Sequence, residues 1–321
     1  MVFLGWSIAG TLIGSASAQT RRPYALSVDF RCALIGLAGR PNVGKSTLVN
    51  AIVGQHVTIT SNRPQTTRRR IAGIAHGDGW QLVLADLPGI QIPRDGLTER
   101  MARSVSETLA DVDLVLLVID GTEKIGGGDR ASAEAAYAAG VPVIVVVNKT
   151  DGMKPERIGE AIAAAAELGD FAELHPVSAM TGDGVPALVT DLIRMAPEGP
   201  ALFPDDARSS EPVRLQIAEL IREQALRRLR DEVPHALTVV VEEYDAPTKK
   251  RAARIEATIY VESSSQQGIV IGAGGSMIRA IGTSARPGIE RVIGAKVMLD
   301  LRVRAQRGWR DDPSLLDRLG P

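Results

Sequence analysis

Short, wholly apolar runs alternate along this chain with longer stretches in which apolar residues recur every three or four positions. Residues 32–38 (CALIGLA), 81–85, 114–119 and 142–147 are the apolar runs. Their length and richness in Val, Leu and Ile suit strands buried on both faces. Residues 46–53, 98–109, 130–139 and 156–168 carry helical spacing between them. His175-Pro176-Val177 forms the last strand signal, with a helix over Val185–Met195 behind it. Strands alternating with helices of this size predict an α/β domain, a mostly parallel sheet with helices on both faces.

Beyond residue 195 the pattern breaks. Residues 196–212 hold four prolines, a glycine and Asp205-Asp206 with little periodicity, which reads as a linker. Residues 213–231 then place Leu215, Leu220, Ile221, Leu226 and Leu229 on one side of a helix. Residues 237–243 and 254–262 favour strands and are expected to pair antiparallel. Residues 268–280 are glycine-rich, 289–293 look helical, and 296–304 (KVMLDLRVR) alternate as a third strand. This second part is an α+β module. The expected organisation is an extension over 1–30, a first domain over 31–197, a linker over 198–211, a second domain over 212–310 and a tail over 311–321.

Composition narrows the class. The chain has 321 residues, 45% hydrophobic and 23% charged, near the globular average and long enough for two cores. Its single cysteine, Cys32, excludes a disulfide framework and a cysteine-based zinc site. Residues 1–18 are apolar and end in Ala16-Ser17-Ala18, like an export signal, but no Lys or Arg precedes Arg21. A disordered extension or an over-long start is the expectation there. The overall net charge of −1 hides an asymmetry. Residues 213–310 carry 17 basic against 11 acidic side chains, and the rest 20 against 27. A basic module behind an acidic one suggests a polyanionic partner for the second domain.

Gly39-Arg40-Pro41-Asn42-Val43-Gly44-Lys45-Ser46 fits G-x-x-x-x-G-K-[ST] at every fixed position. Such a loop turns backbone N–H groups onto phosphates, its Lys reaches the β/γ-phosphates, and its Ser ligates Mg²⁺. Asn148-Lys149-Thr150-Asp151 follows an apolar strand. A carboxylate there accepts both hydrogen bonds of the guanine N1–H and amine, a donor pair that adenine lacks, which favours GTP over ATP. Asp86-Leu87-Pro88-Gly89 also follows a strand; its Asp can hold Mg²⁺ and its Gly N–H can contact a γ-phosphate. Between the P-loop and Asp86, Thr66 and Thr67 are both candidates to complete the Mg²⁺ shell, with Thr67 preferred. Ser178-Ala179-Met180 is placed to offer backbone N–H groups to guanine O6. In the second domain, Gly272-Ala273-Gly274-Gly275 matches the G-x-x-G loop with which KH modules clamp an RNA backbone.

This order of elements resembles the translation-factor-related GTPases. PNVGKSTLVNAIVGQ, TSNRPQTTRRRIAGI and DLPGI in the first domain, with IREQALRRLRDEVPHAL, IVIGAGGSMIRAIGTSARPGIER and RGWR in the second, are similar to the Era family. The resemblance implies a GTPase domain followed by a type II KH domain that binds the 3′ end of 16S ribosomal RNA and assists 30S assembly. It implies GTP/GDP, Mg²⁺ and K⁺ as ligands. Nucleotide contacts would come from Gly39 to Thr47, from Asp86, Leu87, Pro88 and Gly89, from Asn148, Lys149 and Asp151, and from Ser178, Ala179 and Met180. Lys45, Thr67 and Gly89 would act in hydrolysis, and Ser46, Thr67 and Asp86 at the metal. Ile271, Gly272, Ala273, Gly274, Gly275 and Arg279 would meet RNA. A cytoplasmic monomer is expected, with peripheral contact at the inner membrane face admitted and no transmembrane segment.

Two departures matter. Relatives commonly carry a lysine inside the G-x-x-G loop, where this chain has Ala273; Lys249, Lys250, Arg251, Arg279 and Arg286 are the candidates to compensate. The position after Gly89, a water-orienting glutamine in many signalling GTPases, is Ile90. Slow hydrolysis is therefore expected, with Asn42 in the position that helps bind K⁺ in this family. The rival readings are a GTPase whose second module is a protein or membrane adaptor, and an ATP-using P-loop enzyme.

Overall fold

The computed structural model describes residues 30–60, 71–90, 95–249 and 251–319. These fall into two units, one ending at Ser210 and the other beginning at Glu211, with residues 59–60 and 95–99 belonging to the second.

The apolar run at 32–38 becomes the central strand β1 (Arg31–Ala38), buried along almost its whole length. Around it lie β2 (Ile71–Gly77), β3 (Trp80–Asp86), β4 (Leu114–Asp120), β5 (Val143–Asn148) and β6 (Glu173–Pro176), in the order β2-β3-β1-β4-β5-β6. All pairs are parallel except β2 with β3. Successive side chains of a strand point to opposite faces, so β1 feeds two cores. Ile35 and Leu37 pack with Leu48 and Val49 of α1 (Lys45–Val53) and with Leu188 and Leu192 of α5 (Val185–Met195). Leu34 and Ala38 pack with Val105 and Leu109 of α2 (Gly96–Leu109), Ala136 of α3 (Gly127–Ala138) and Ala165 of α4 (Pro155–Ala166). Gly36 permits the close approach of α2, since a Cβ there would lie 2.8 Å from Leu109 Cδ2. The mostly parallel sheet with helices on both faces is thus present.

The antiparallel β2 was not anticipated from the apolar pattern. It joins β3 through a two-residue turn, Asp78-Gly79, with Gly79 at φ +75. Its exposed edge is covered by the segment read as a linker. Ile74 N–H donates to Arg208 O, and Ser210 N–H to Ala72 O. Gln81, fully buried, anchors the same segment. Its Oε1 accepts from Leu202 and Phe203 N–H at 2.8 and 3.0 Å, and its Nε2 donates to Phe203 O at 2.9 Å. Residues 198–210 therefore form a strap on the first unit rather than a free tether.

The second unit is built on α6 (Val213–Arg228), β7 (Thr238–Asp245), β8 (Ala253–Val261), α7 (Ser264–Ile271), α8 (Ser276–Ile293) and β9 (Val297–Ala305). Its sheet runs β7-β8-β9, antiparallel then parallel, the α-β-β-α-α-β order of a type II KH fold. Ile217 and Ile221 of α6 and Ile281 and Ile289 of α8 cover Val239, Ile255 and Ile259 of the sheet. Within the glycine-rich stretch, two helices meet at the G-x-x-G loop, and α8 continues through Pro287. The small residues serve close packing: a Cβ on Gly288 would lie 3.2 Å from Leu220 Cδ2. The tail, too, is folded over part of its length. Trp309 is fully buried and donates to Ala236 O at 2.8 Å, and α9 (Pro313–Arg318) buries Leu315 and Leu316. Among the described residues no helix is long and apolar enough to cross a membrane.

The strap makes a prediction. Replacing Gln81 with Ala deprives two N–H groups and one carbonyl of their partner, each such loss costing roughly 1–3 kcal/mol where water cannot enter. Gln81→Ala is expected to melt at lower temperature and to be cleaved by protease within residues 200–208. An unchanged cleavage pattern would show that the strap is held elsewhere.

Candidate functional site

Parallel strands bring their C-terminal ends to one edge of the sheet, and the motif loops follow those ends. β1 leads into Gly39, whose φ of +150 and close approach to Val118 O, 2.5 Å from a notional Cβ, exclude a side chain. Asn42 at φ +68 and Gly44 at φ +99 complete the turn into α1. The Lys45 ammonium folds back along this loop, donating to Gly39 O at 2.8 Å and Arg40 O at 3.0 Å. Burial pushes the Lys45 ammonium down to about 8, partly offset by the Asp86 carboxylate nearby. A cation held in a desolvated ring of backbone groups is primed for a polyanion.

Asp86 closes β3 and is fully buried; Leu87 behind it is also fully buried. Gly89 lies against the P-loop, a notional Cβ falling 2.6 Å from Pro41 N, and Ile90 N–H donates to Gly39 O at 3.3 Å. The Ile90 side chain packs against the core on the α2 side. The Ser46 hydroxyl and the Asp86 carboxylate are hard oxygen donors of the kind Mg²⁺ takes beside phosphate oxygens, so the donor set fits that ion. Thr66 and Thr67 lie outside the described residues.

Asn148, at the end of β5, joins two loops. Its Nδ2 donates to Val43 O at 2.8 Å and its Oδ1 accepts from Ala179 N–H at 3.0 Å. Ser178 donates its hydroxyl to Asp151 Oδ1 at 2.7 Å, fixing the carboxylate's rotation, and Ser178 Oγ accepts from Thr181 N–H at 3.2 Å. Met180 stands 80% exposed beside them. The four motif loops are thus one hydrogen-bonded assembly, except for the threonines. Two carboxylates, Asp120 and Asp129, went unread in the sequence. Lys149, at φ +66, gives its ammonium to Asp120 Oδ2 at 2.6 Å. Arg40 pairs with Asp129 at 2.9 Å and Glu123 at 2.7 Å. The only signal for Asp120 was a carboxylate ending an apolar strand.

In the second unit, α7 ends at Ile271 and the loop Gly272 to Gly275 turns into α8. Gly272, Gly274 and Gly275 all have positive φ, at +72, +56 and +79. A Cβ on Gly272 would strike Met277, whereas one on Gly274 would meet open space. The Gly274 face is therefore accessible at the start of α8, where Gly275 N–H donates to Gly272 O and Ser276 N–H to Ala273 O. Ile269 and Ile271 flank it, 50% and 36% exposed. Val270 between them is fully buried in the core, because each step along α7 turns the side chain by about 100°. Arg279 donates to Gly274 O. Arg251 is drawn to Asp245 at 3.4 Å, and Lys250 lies outside the described residues. Lys249 and Arg286 are exposed. Arg310, at the end of the basic stretch, is committed to Asp95 at 2.5 Å. Burial would raise the Asp95 carboxyl, but hydrogen bonds from Arg310 and Thr98 hold it below the ordinary range.

Comparison with known proteins agrees with both halves of this geometry. A family model described as a 50S ribosome-binding GTPase matches residues 34–149, and a KH domain model matches residues 232–310. GTPase Era of Mycobacterium avium (strain 104) is 46% identical over 297 residues, covering 91% of this chain and 99% of the relative. GTPase Era of Mycobacterium tuberculosis (strain H37Rv) is 47% identical over 298 residues with the same coverage. Among solved structures, Era in complex with MgGDPNP and nucleotides 1506–1542 of 16S ribosomal RNA superposes with a TM-score of 0.85 at 32% identity. An Aquifex aeolicus Era variant bound to GDP·AlF4⁻ superposes with a TM-score of 0.86 at 32% identity. Each of these covers 91% of this chain and 99% of the other. With a P-loop domain and a KH domain in one chain, and relatives of this identity matched along nearly their full length, the protein belongs to the Era family of GTPases and is a GTP-hydrolysing enzyme.

Proposed function

We propose that this GTPase binds single-stranded RNA at the 3′ end of 16S ribosomal RNA through its KH domain, and that it assists 30S assembly in the cytoplasm. The observation that carries the RNA half is the G-x-x-G loop. Its Gly274 face is open, it leads into the N–H groups of an 18-residue helix, and two exposed isoleucines flank it. Backbone N–H groups and a helix N-terminus suit phosphates, and apolar side chains beside them suit unstacked bases. Arg279, already bonded to the loop, supplies a charge where Ala273 does not. The solved relative that carries 16S nucleotides together with MgGDPNP supports the same assignment.

On the nucleotide side, Asp151 reads the guanine edge and Ser178 holds its carboxylate in place. Lys45 exchanges the carbonyls of Gly39 and Arg40 for phosphate oxygens. Ser46 and Asp86, with Thr66 or Thr67, are the residues to hold Mg²⁺, which would neutralise phosphate charge. Gly89, in contact with the P-loop, is placed to sense the γ-phosphate. No side chain at Ile90 can orient water, so intrinsic hydrolysis is slow, and Asn42 is the residue to bring K⁺ to the phosphates.

Asp151→Asn reverses one hydrogen-bond partner at the base. Losing a charged hydrogen bond costs roughly 1.5–3 kcal/mol, about ten- to a hundredfold in affinity. GTP affinity is expected to fall and xanthosine triphosphate affinity to rise, as read by calorimetry. An unchanged preference for GTP would remove Asp151 from the base site.

Gly274→Asp places a carboxylate where phosphate is expected, at a φ that Asp tolerates better than most residues. Binding of a 16S 3′-end oligonucleotide is expected to be abolished with circular dichroism unchanged. Exposed Arg286→Ala should weaken binding mildly and flatten its salt dependence, whose slope is roughly −0.7 per phosphate neutralised. Full RNA affinity in folded Gly274→Asp would reduce the loop to a turn and favour an adaptor module.

A further inference from the structure

The connection between β4 and α3 is bounded by two deeply buried aspartates, each paired with one residue of the nucleotide site. Asp120 ends β4 and is 3% exposed; Asp129 lies in the first turn of α3 and is 2% exposed. Carboxylates are almost never buried this far without dedicated partners. Asp120 holds its own loop with one oxygen, Oδ1 accepting from Thr122 N–H at 3.0 Å and from the Thr122 hydroxyl at 2.6 Å. Its other oxygen accepts from the Lys149 ammonium at 2.6 Å. Burial alone would push the Asp120 carboxyl up, yet the Lys149 and Thr122 hydrogen bonds hold it below the ordinary range, so it stays charged. Asp129 has the same division of labour. Oδ2 accepts from Gly126 N–H at 3.0 Å, and Oδ1 accepts from Arg40 Nε at 2.9 Å.

The two outward partners belong to opposite ends of the nucleotide site. Lys149 sits in the base-reading loop and Arg40 in the P-loop. We infer that the β4–α3 connection is a brace for the bound nucleotide, with Asp120 positioning Lys149 at the base end and Asp129 positioning Arg40 at the phosphate end. The register delivers the first contact, since Asp120 pairs with Asn148 across the sheet and Gly121 N–H donates to Asn148 O at 2.8 Å. Lys149 has a left-handed backbone that residues with side chains seldom adopt, and such a conformation persists only where its surroundings enforce it. With its ammonium drawn to Asp120, Lys149 offers its methylene stem rather than its charge beside Asp151. A purine face needs apolar cover of that kind.

At the other end, the Arg40 stem rests on α3, a notional Cβ at Gly128 lying 3.5 Å from Arg40 Cδ. Its guanidinium is held by Asp129 and Glu123. That fixes the backbone whose carbonyls, Gly39 O and Arg40 O, hold Lys45. Both aspartates act through another residue and are positioning residues. The inference rests on the guanine-nucleotide reading, which the wild-type protein tests separately by its preference for a GTP analogue over the ATP analogue.

The test compares a non-hydrolysable GTP analogue with inorganic tripolyphosphate, which has the phosphate chain and no base. Asp120→Asn is expected to weaken the GTP analogue roughly tenfold, the scale of one charged hydrogen bond, and to leave tripolyphosphate unchanged. Asp129→Asn is expected to weaken both. Lys149→Met keeps the stem and removes the ammonium; in that background Asp120→Asn should cost nothing, or restore affinity by neutralising an unpaired carboxylate. Equal weakening of both ligands by Asp120→Asn would mean general loosening and overturn the base-end role. So would an unchanged GTP-analogue affinity, or the same cost in the Lys149→Met background. Tripolyphosphate binding unaffected by Asp129→Asn would overturn the phosphate-end role.

Discussion

One buried amide holds the nucleotide site together. Asn148 donates to the P-loop at Val43 O and accepts from the last loop at Ala179 N–H. Three loops that follow different strands are thereby tied to a common geometry. The contact also dictates Gly44, because a Cβ there would come 2.2 Å from Asn148 Nδ2. A P-loop glycine is thus required both by the left-handed turn and by the side chain that crosses over it. Hydrogen bonds of this kind hold a site without reorganisation when charge is bound or develops, which is where electrostatic catalysis gains most.

The second unit solves a different problem with related means. Its proposed ligand is a flexible polyanion, and at Gly274 it exposes backbone. Gly274 leaves open space at the start of α8, while Gly272 is required by the approach of Met277. The net positive charge of residues 213–310 is not all available to RNA. Arg310 is tied to Asp95, Arg251 to Asp245, and Arg302 to Glu256. Proximity to the loop, as for Arg279, matters more than total charge.

The strands β1, β3, β4 and β5 were legible because burial on both faces leaves continuous apolar runs. β2 was not, since four of the seven residues of IAGIAHG are Ala or Gly, although the Asp78-Gly79 turn behind it is a hairpin signal in its own right. The helix α8 was obscured by glycines that serve close packing, visible only once Leu301 stands opposite Gly282 and Leu220 opposite Gly288. The site motifs were legible because each is contiguous and its spacing is set by one ligand. Asp120, Asp129 and Gln81 were not, because their partners lie far away in sequence and meet them only through the sheet. The buried Val270 between exposed Ile269 and Ile271 shows the same limit, as helix phase cannot be read from three consecutive apolar residues.

The central claim is that a guanine-nucleotide domain and an RNA-binding domain act in one chain upon the small ribosomal subunit. Crosslinking the protein to RNA in living cells, followed by sequencing of the bound fragments, tests it most directly. The account predicts fragments concentrated at the 3′ end of 16S ribosomal RNA, and their loss when the Gly272 to Gly275 loop is disrupted in a folded protein. Fragments scattered over unrelated RNAs, or crosslinks indifferent to that loop, would contradict it.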